Sequence, residues 1–254
     1  MGVVLMELVI DDARKFKQCV DAVVNLVGEG VFEVSKEGLK LRTMDPSQIA
    51  MVDFTLPHSA FSKFSVAEKV NIGLNLADLS KILARSRSGE KLALSLDEKE
   101  SRLMLKFSSG QSKRSFKMPL LESSASFPRE PKISFDATVR VNGGEFKEMI
   151  RDAGLLSSHV TLHVRDSEFI VEAHGDSGDL LIETKADSEA VKEVKVTAKS
   201  VAVFPYDYLD NLTRACPDDG DILIELKSDA PVRVSYEVGK AKLSYFLAPR
   251  VETA

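Results

Sequence analysis

The chain has 254 residues, 44% hydrophobic and 29% charged, with 39 acidic against 34 basic side chains and a formal net charge of −5. Net charge therefore argues against nucleic-acid binding, and any anion-binding role must rest on where the cations stand. No apolar run approaches the roughly 18 residues of a membrane helix, and two cysteines form no disulfide framework.

Val3 to Val9 alternates as a strand, and Met1 to Ile10 leads into Asp11-Asp12 without the pattern of a signal peptide, so a soluble intracellular protein is expected. Asp11 or Asp12 caps a helix in which Phe16, Cys19, Val20, Val23 and Val27 form one buried stripe. Gly28-Glu29-Gly30 is expected to end it. Strands are predicted at Val31–Ser35, Leu39–Thr43 and Ile49–Leu56, with a hairpin turn at Lys36-Glu37-Gly38. The order then restarts: a strand at Lys69–Leu74, a helix at Leu76–Arg85 capped by Asn75, and strands at Leu92–Leu96, Leu103–Phe107 and Ser112–Met118.

A connector follows, with Pro128, Pro131 and several serines. Beyond it the plan recurs: a strand at Asp136–Val141, a helix opened by Asn142-Gly143-Gly144, and strands at Val160–Arg165, Phe169–His174 and Asp179–Lys185. A fourth unit runs from Glu193–Ala198 through a helix started by Pro205 to strands at Asp221–Lys227, Val232–Val238 and Lys242–Leu247.

The two halves align on their apolar positions at an offset of about 130 residues: Phe16 over Phe146, Val20 over Ile150, Val34 over Val164, Leu41 over Val171 and, to within one residue, Arg85 over Arg214. Two homologous domains are expected, 1–120 and 134–254, joined by a connector at 121–133. Each holds two strand-helix-three-strand units, an antiparallel α+β protein with its helices gathered on one side of the sheets.

No phosphate-binding glycine loop, zinc-ligand spacing or nucleophile elbow occurs, so no cofactor and no enzyme activity is expected. His58, His159, His163 and His174 share no ligand spacing with cysteines or carboxylates, and Asp97-Glu98 and Asp218-Asp219 read as solvated turn tips. Opposite the buried helix stripes stand Arg14, Lys17, Lys81, Arg85, Lys147, Arg151 and Arg214. Asp21, Asp78, Glu148, Asp207 and Asp210 share those helices, leaving an excess of about two positive charges. From the residues alone, an ordinary solvated helix face is the better reading.

Leu41-Arg-Thr-Met-Asp-Pro-Ser-Gln-Ile-Ala50 resembles the L-x-S-M-D-x-S-H-V segment of the sliding clamps, the proliferating cell nuclear antigen family of eukaryotes and archaea. Leu79-Ser-Lys-Ile-Leu83, Arg151-Asp152, Tyr208-Leu209 with Thr213-Arg214-Ala215, and the ending Leu243-Ser-Tyr-Phe-Leu-Ala-Pro-Arg250 are similar to that family in the same order. The resemblance covers essentially the whole chain.

It implies the DNA-clamp fold and a ring of three subunits, with helices lining the hole, antiparallel sheets outside and double-stranded DNA passing through without sequence preference. Arg14, Lys17, Lys81, Arg85, Lys147, Arg151 and Arg214 would then face DNA, although Val24 and Ala84 stand where eukaryotic members carry lysine. It implies ring closure by Gly110–Lys117 against Ser177–Lys185 of a neighbour, with Lys113 and Arg114 near Asp179 and Glu183. It also implies a pocket for short peptide motifs of DNA polymerase, the clamp loader, flap nuclease and DNA ligase. The matching positions are Met44, Gln48, Ile49 and Met51, then Phe127 and Pro128, then Pro231, Phe246, Leu247, Ala248 and Pro249. For Met44, Ile49 and Met51, domain core is the other reading. The resemblance leaves open a homotrimer or one subunit of a heterotrimeric or checkpoint-type clamp. Either would work beside the DNA: in the nucleoid of an archaeon, or in a eukaryotic nucleus.

Overall fold

The computed structural model describes residues 6–97, 101–122 and 127–250. The chain forms two compact units: Met1–Thr43 with Asp53–Pro128 and Gly239–Lys242, and Met44–Val52 with Arg129–Val238 and Leu243–Ala254.

In chain order the first half gives β1 Met6–Ile10, α1 Ala13–Val24, β2 Glu29–Ser35, β3 Gly38–Met44, β4 Ala50–Pro57, a 3-10 turn His58–Ala60, β5 Lys63–Val66, β6 Val70–Asn75, α2 Leu76–Leu83, β7 Lys91–Asp97, β8 Arg102–Ser109 and β9 Ser112–Pro119. The second gives β10 Ala137–Asn142, α3 Gly143–Gly154, β11 His159–Arg165, β12 Glu168–Gly175, β13 Gly178–Lys185, β14 Val191–Val196, β15 Ser200–Pro205, α4 Tyr206–Thr213, β16 Asp221–Leu226, β17 Val232–Val238 and β18 Ala241–Leu247.

The halves repeat each other strand for strand. The strands make three sheets, ordered β5-β1-β7-β8-β9, β14-β10-β16-β17-β18-β4-β3-β2-β6 and β13-β12-β11-β15, so that the runs β5-β1-β7-β8-β9 and β6-β2-β3-β4 of the first half match β14-β10-β16-β17-β18 and β15-β11-β12-β13 of the second. The apolar alignment of the sequence thus extends to topology.

Two strands depart from the expected order. Lys63–Val66 had no strand signal, because it is an edge strand with no fully buried residue, held to β1 through Met6↔Val66 to Val9↔Lys63. The strand assigned to Glu193–Ala198 is β14, which ends its own unit. The strand that leads into α4 is β15, where Ser200, Ala202 and Phe204 point inward and Val201 is exposed.

Local chemistry sets the helix ends. Asp12, Asn75 and Asn142 accept from the backbone N–H of Arg14, Asp78 and Glu145 and start α1, α2 and α3. Pro205 starts α4 without a side-chain cap. Helix α1 ends at Val24 with Asn25 as its cap, earlier than the glycines. The Gly28 carbonyl instead accepts from Leu76 and Ala77 N–H, and Glu29 already belongs to β2. At the β2–β3 hairpin Gly38 has φ +140°, and a Cβ there would lie 2.2 Å from Leu56 O, so no other residue fits. Buried stripes on the helices, Phe16, Val20 and Val23 of α1 and Phe146, Ile150 and Ala153 of α3, leave the opposite faces wet.

Candidate functional site

The helix cations divide into two kinds. On α1, α2, α3 and α4 most are exposed and paired with a carboxylate of their own helix or its cap. Arg14 lies 3.4 Å from Asp12 and Lys81 2.9 Å from Asp78, while Lys17 pairs with Asp21, Arg151 with Glu148 and Arg214 with Asp210. Exposed pairs of this kind are worth at most about 1 kcal/mol, so exchanging the carboxylate for a phosphate costs little. Arg85, just past α2, is exposed as well.

Lys147 is the exception, and its expected outward role is corrected. It is 8% exposed, and its amine donates to Cys216 O at 2.8 Å and to Asp218. The helical wheel places it on the polar side, but the Cys216–Asp218 turn folds over that position. Lys147 holds the turn and leaves Asp218 below the ordinary carboxylate value.

Strands β9 and β13 each end their sheet, so each presents an unpaired row of backbone groups. Lys113 on β9 is exposed. Arg114 turns inward instead: its guanidinium donates to Glu90 at 2.6 and 2.8 Å and to Arg85 O at 3.0 Å, and lies 5.3 Å from the Phe107 ring centre. Burial would raise the Glu90 carboxyl, but Arg114 and the Arg87 N–H outweigh it and hold it low. On β13 both carboxylates have partners within the chain: Asp179 Oδ1 is 2.8 Å from His174 Nδ1, and Glu183 is 3.0 Å from Arg165. Within one chain, then, Arg114, Asp179 and Glu183 each have an internal partner, Arg114 part-buried against Glu90 and the two carboxylates still exposed. Outward from β13 stand its backbone, Leu181, 59% exposed, and the exposed Asp179, Glu183 and Lys185.

The segment resembling the clamp signature is built around Asp45. This carboxylate, 3% exposed, accepts from Ser47 N–H at 2.9 Å, Ile49 N–H at 2.8 Å, Ala50 N–H at 2.7 Å and the Tyr208 hydroxyl at 2.8 Å. Burial alone would raise its pKa; the hydrogen bonds from Ala50, Tyr208, Ser47 and Ile49 outweigh that and hold it below the ordinary value. The Tyr208 hydroxyl is correspondingly raised, by burial and by Asp45. This closure puts Gln48 at φ +60°, exposed, beside a half-exposed Ile49. Ile49 O in turn accepts from Ala248 N–H at 2.8 Å, joining the loop to the chain end.

Of the expected pocket residues in the second unit, Gln48 is exposed and Met44, Ile49, Pro231, Ala248 and Pro249 are half-exposed; Phe127 and Pro128, in the first unit, are half-exposed as well. Met51 and Leu247, 2% and 0% exposed, are core, because each points inward from its strand. Phe246 is 3% exposed, with the Arg233 guanidinium 6.0 Å from its ring centre. Asp45 and Tyr208 stand within segments that carry the resemblance without being marked there as site residues, and no sequence pattern singles out Arg233. Asp45 lies inside the recognised segment, and Arg233 faces Glu225 directly across the β16–β17 register.

Among the described residues no group of three or more His, Cys, Asp or Glu side chains could hold a metal ion, and no helix is long and apolar enough to cross a membrane.

Comparison with known proteins bears on the whole chain. The N-terminal domain of proliferating cell nuclear antigen matches residues 5–125 and its C-terminal domain residues 130–251. The DNA polymerase sliding clamp of Methanococcus vannielii is 36% identical over 245 residues, covering 95% of this chain and 98% of the relative. That of Thermococcus onnurineus is 31% identical over 247 residues, covering 97% and 98%. Among solved structures, proliferating cell nuclear antigen from Thermococcus kodakaraensis is 26% identical with a TM-score of 0.90, covering 96% of this chain and all of that one. The A. fulgidus protein, bound to the C-terminal region of FEN-1, is 26% identical with a TM-score of 0.88, covering 98% of this chain and 100% of that one. The chain has the DNA-clamp fold and belongs to the proliferating cell nuclear antigen family of sliding clamps.

Proposed function

We propose that this chain is a replication sliding clamp: three copies close a ring around duplex DNA and tether polymerase and other DNA enzymes to it. It acts inside the cell, on the DNA, as a processivity factor and not as an enzyme. The observation that carries the reading is the pairing of unmade surfaces on one fold, two bare sheet edges at β9 and β13 together with cation-bearing wet helix faces.

A head-to-tail contact of β9 with the β13 of a neighbour closes a ring if its rotation fits. Backbone ladder bonds and apolar contacts around Leu181 would carry most of it, with Lys113 near the exposed Asp179 and Glu183 adding little. Arg14, Lys17, Lys81, Arg85, Arg151 and Arg214 would meet phosphates in a weak, sequence-independent contact that permits sliding. Met44, Gln48, Ile49, Pro231, Ala248 and Pro249 of the second unit would take short peptide motifs of DNA polymerase, clamp loader, flap nuclease and DNA ligase, apolar anchors supplying most of the affinity.

Light scattering after size-exclusion chromatography of the chain alone tests the assembly. Three times the 27.9 kDa subunit mass supports the homotrimer. A persistent monomer at micromolar concentration contradicts it and points to a ring built with different subunits.

A further inference from the structure

We propose that Arg233 is a positioning residue for peptide binding, fixing the stretch Glu130–Phe135 across the sheet of the second unit beside Phe246. The proposal rests on the peptide-binding reading above.

Residues 127–135 form no strand or helix among the described residues, so side chains must set where they lie. Arg233, on β17, reaches in four directions. Its Nε and Nη2 grip the two carboxylate oxygens of Glu225 on the neighbouring strand, which fixes the guanidinium plane. Its charge lies 5.4 Å from the Phe135 ring centre and 6.0 Å from that of Phe246, and Nη1 is 3.9 Å from Glu130. Lys227, 3.3 Å from Ser134 O, holds the far end of the same stretch.

The bidentate grip on Glu225 makes Arg233 a fixed post and not a swinging cover. Phe246 is buried beneath it, so the surface an incoming peptide meets is shaped by Arg233 and Phe135. A lysine would keep the charge but lose both the fork and the flat face that stacks on the rings.

The test pairs two measurements on the full chain: amide exchange of residues 129–135, and fluorescence anisotropy with a labelled peptide from the C-terminal region of FEN-1. For Arg233→Ala the expected result is faster exchange in that stretch and an affinity weaker by roughly fivefold, the scale of one stacked, part-exposed cation. Arg233→Lys recovers only part of both. Glu130→Gln, which leaves the Glu225 pair intact and should melt as the wild type does, moves both readouts the same way by less. If the wild-type chain binds the peptide and neither Arg233→Ala nor Glu130→Gln weakens it, the proposal is overturned, whatever the exchange shows. No binding by the wild type would instead overturn the peptide reading itself, with exchange still reporting whether Arg233 holds the stretch.

Discussion

The Tyr208 hydroxyl donates to Asp45 Oδ2 at 2.8 Å and ties helix α4 to the loop that presents Gln48 and Ile49. With three backbone N–H groups on the same carboxylate, the loop's shape is set by one buried charge. Tyr208→Phe removes one charge-assisted bond and should cost about 1–2 kcal/mol in urea unfolding at neutral pH. Asp45→Asn, which weakens every bond to the group, should cost more and reduce peptide affinity.

The same carboxylate gives a pH dependence with a definite sign. Its folded-state pKa lies below its unfolded value. Its contribution is therefore complete above the unfolded pKa near 3.8 and is lost as pH falls through the folded value. Wild type and Asp45→Asn should differ in unfolding free energy at pH 7 and converge in strong acid.

His174 shifts the other way. Its hydrogen bond to Asp179 raises its pKa, so the interaction is complete below the ordinary histidine value and fades as pH rises through the raised one. An NMR titration of the His174 ring should show a midpoint above the usual 6.5, returning toward it in Asp179→Asn.

Lys147 separates fold from function. Lys147→Ala leaves the Cys216 carbonyl and Asp218 without their amine and should lower stability by about 1–3 kcal/mol. It should leave the salt dependence of DNA binding unchanged. Arg85→Ala should do the reverse: little effect on melting, and a slope of log affinity against log salt that is shallower by about one for each phosphate no longer neutralised.

Ring closure carried mainly by backbone bonds and apolar contacts predicts weak salt sensitivity. If β9 meets β13 through backbone and Leu181, the trimer mass should hold between about 0.1 and 1 M salt, where exposed charge pairs are screened. Leu181→Glu should give a monomer under the same conditions.

Much of this is legible in the sequence because the duplication repeats apolar positions, and apolar periodicity reports burial directly. Helix caps at Asp12, Asn75 and Asn142 can be read for the same reason, being local chemistry. Where each cation points cannot. Lys147 and Arg114 occupy positions that pattern alone marks as outward, yet distant turns and strands bring Asp218 and Glu90 onto them. Strands β5 and β15 escape the pattern, the first because an edge strand buries little, the second because Glu193–Ala198 already supplies a strand before the helix that Pro205 starts. Arg233 is invisible to it because its role depends on Phe135, Glu225 and Phe246 meeting from separate stretches.

The most direct measurement of the central claim is retention on DNA after loading by the clamp loader. An encircling protein should stay on covalently closed circles through a high-salt wash and be released when the circle is cut once. Equal retention on closed and cut DNA, or loss from both at the same salt, would contradict encirclement.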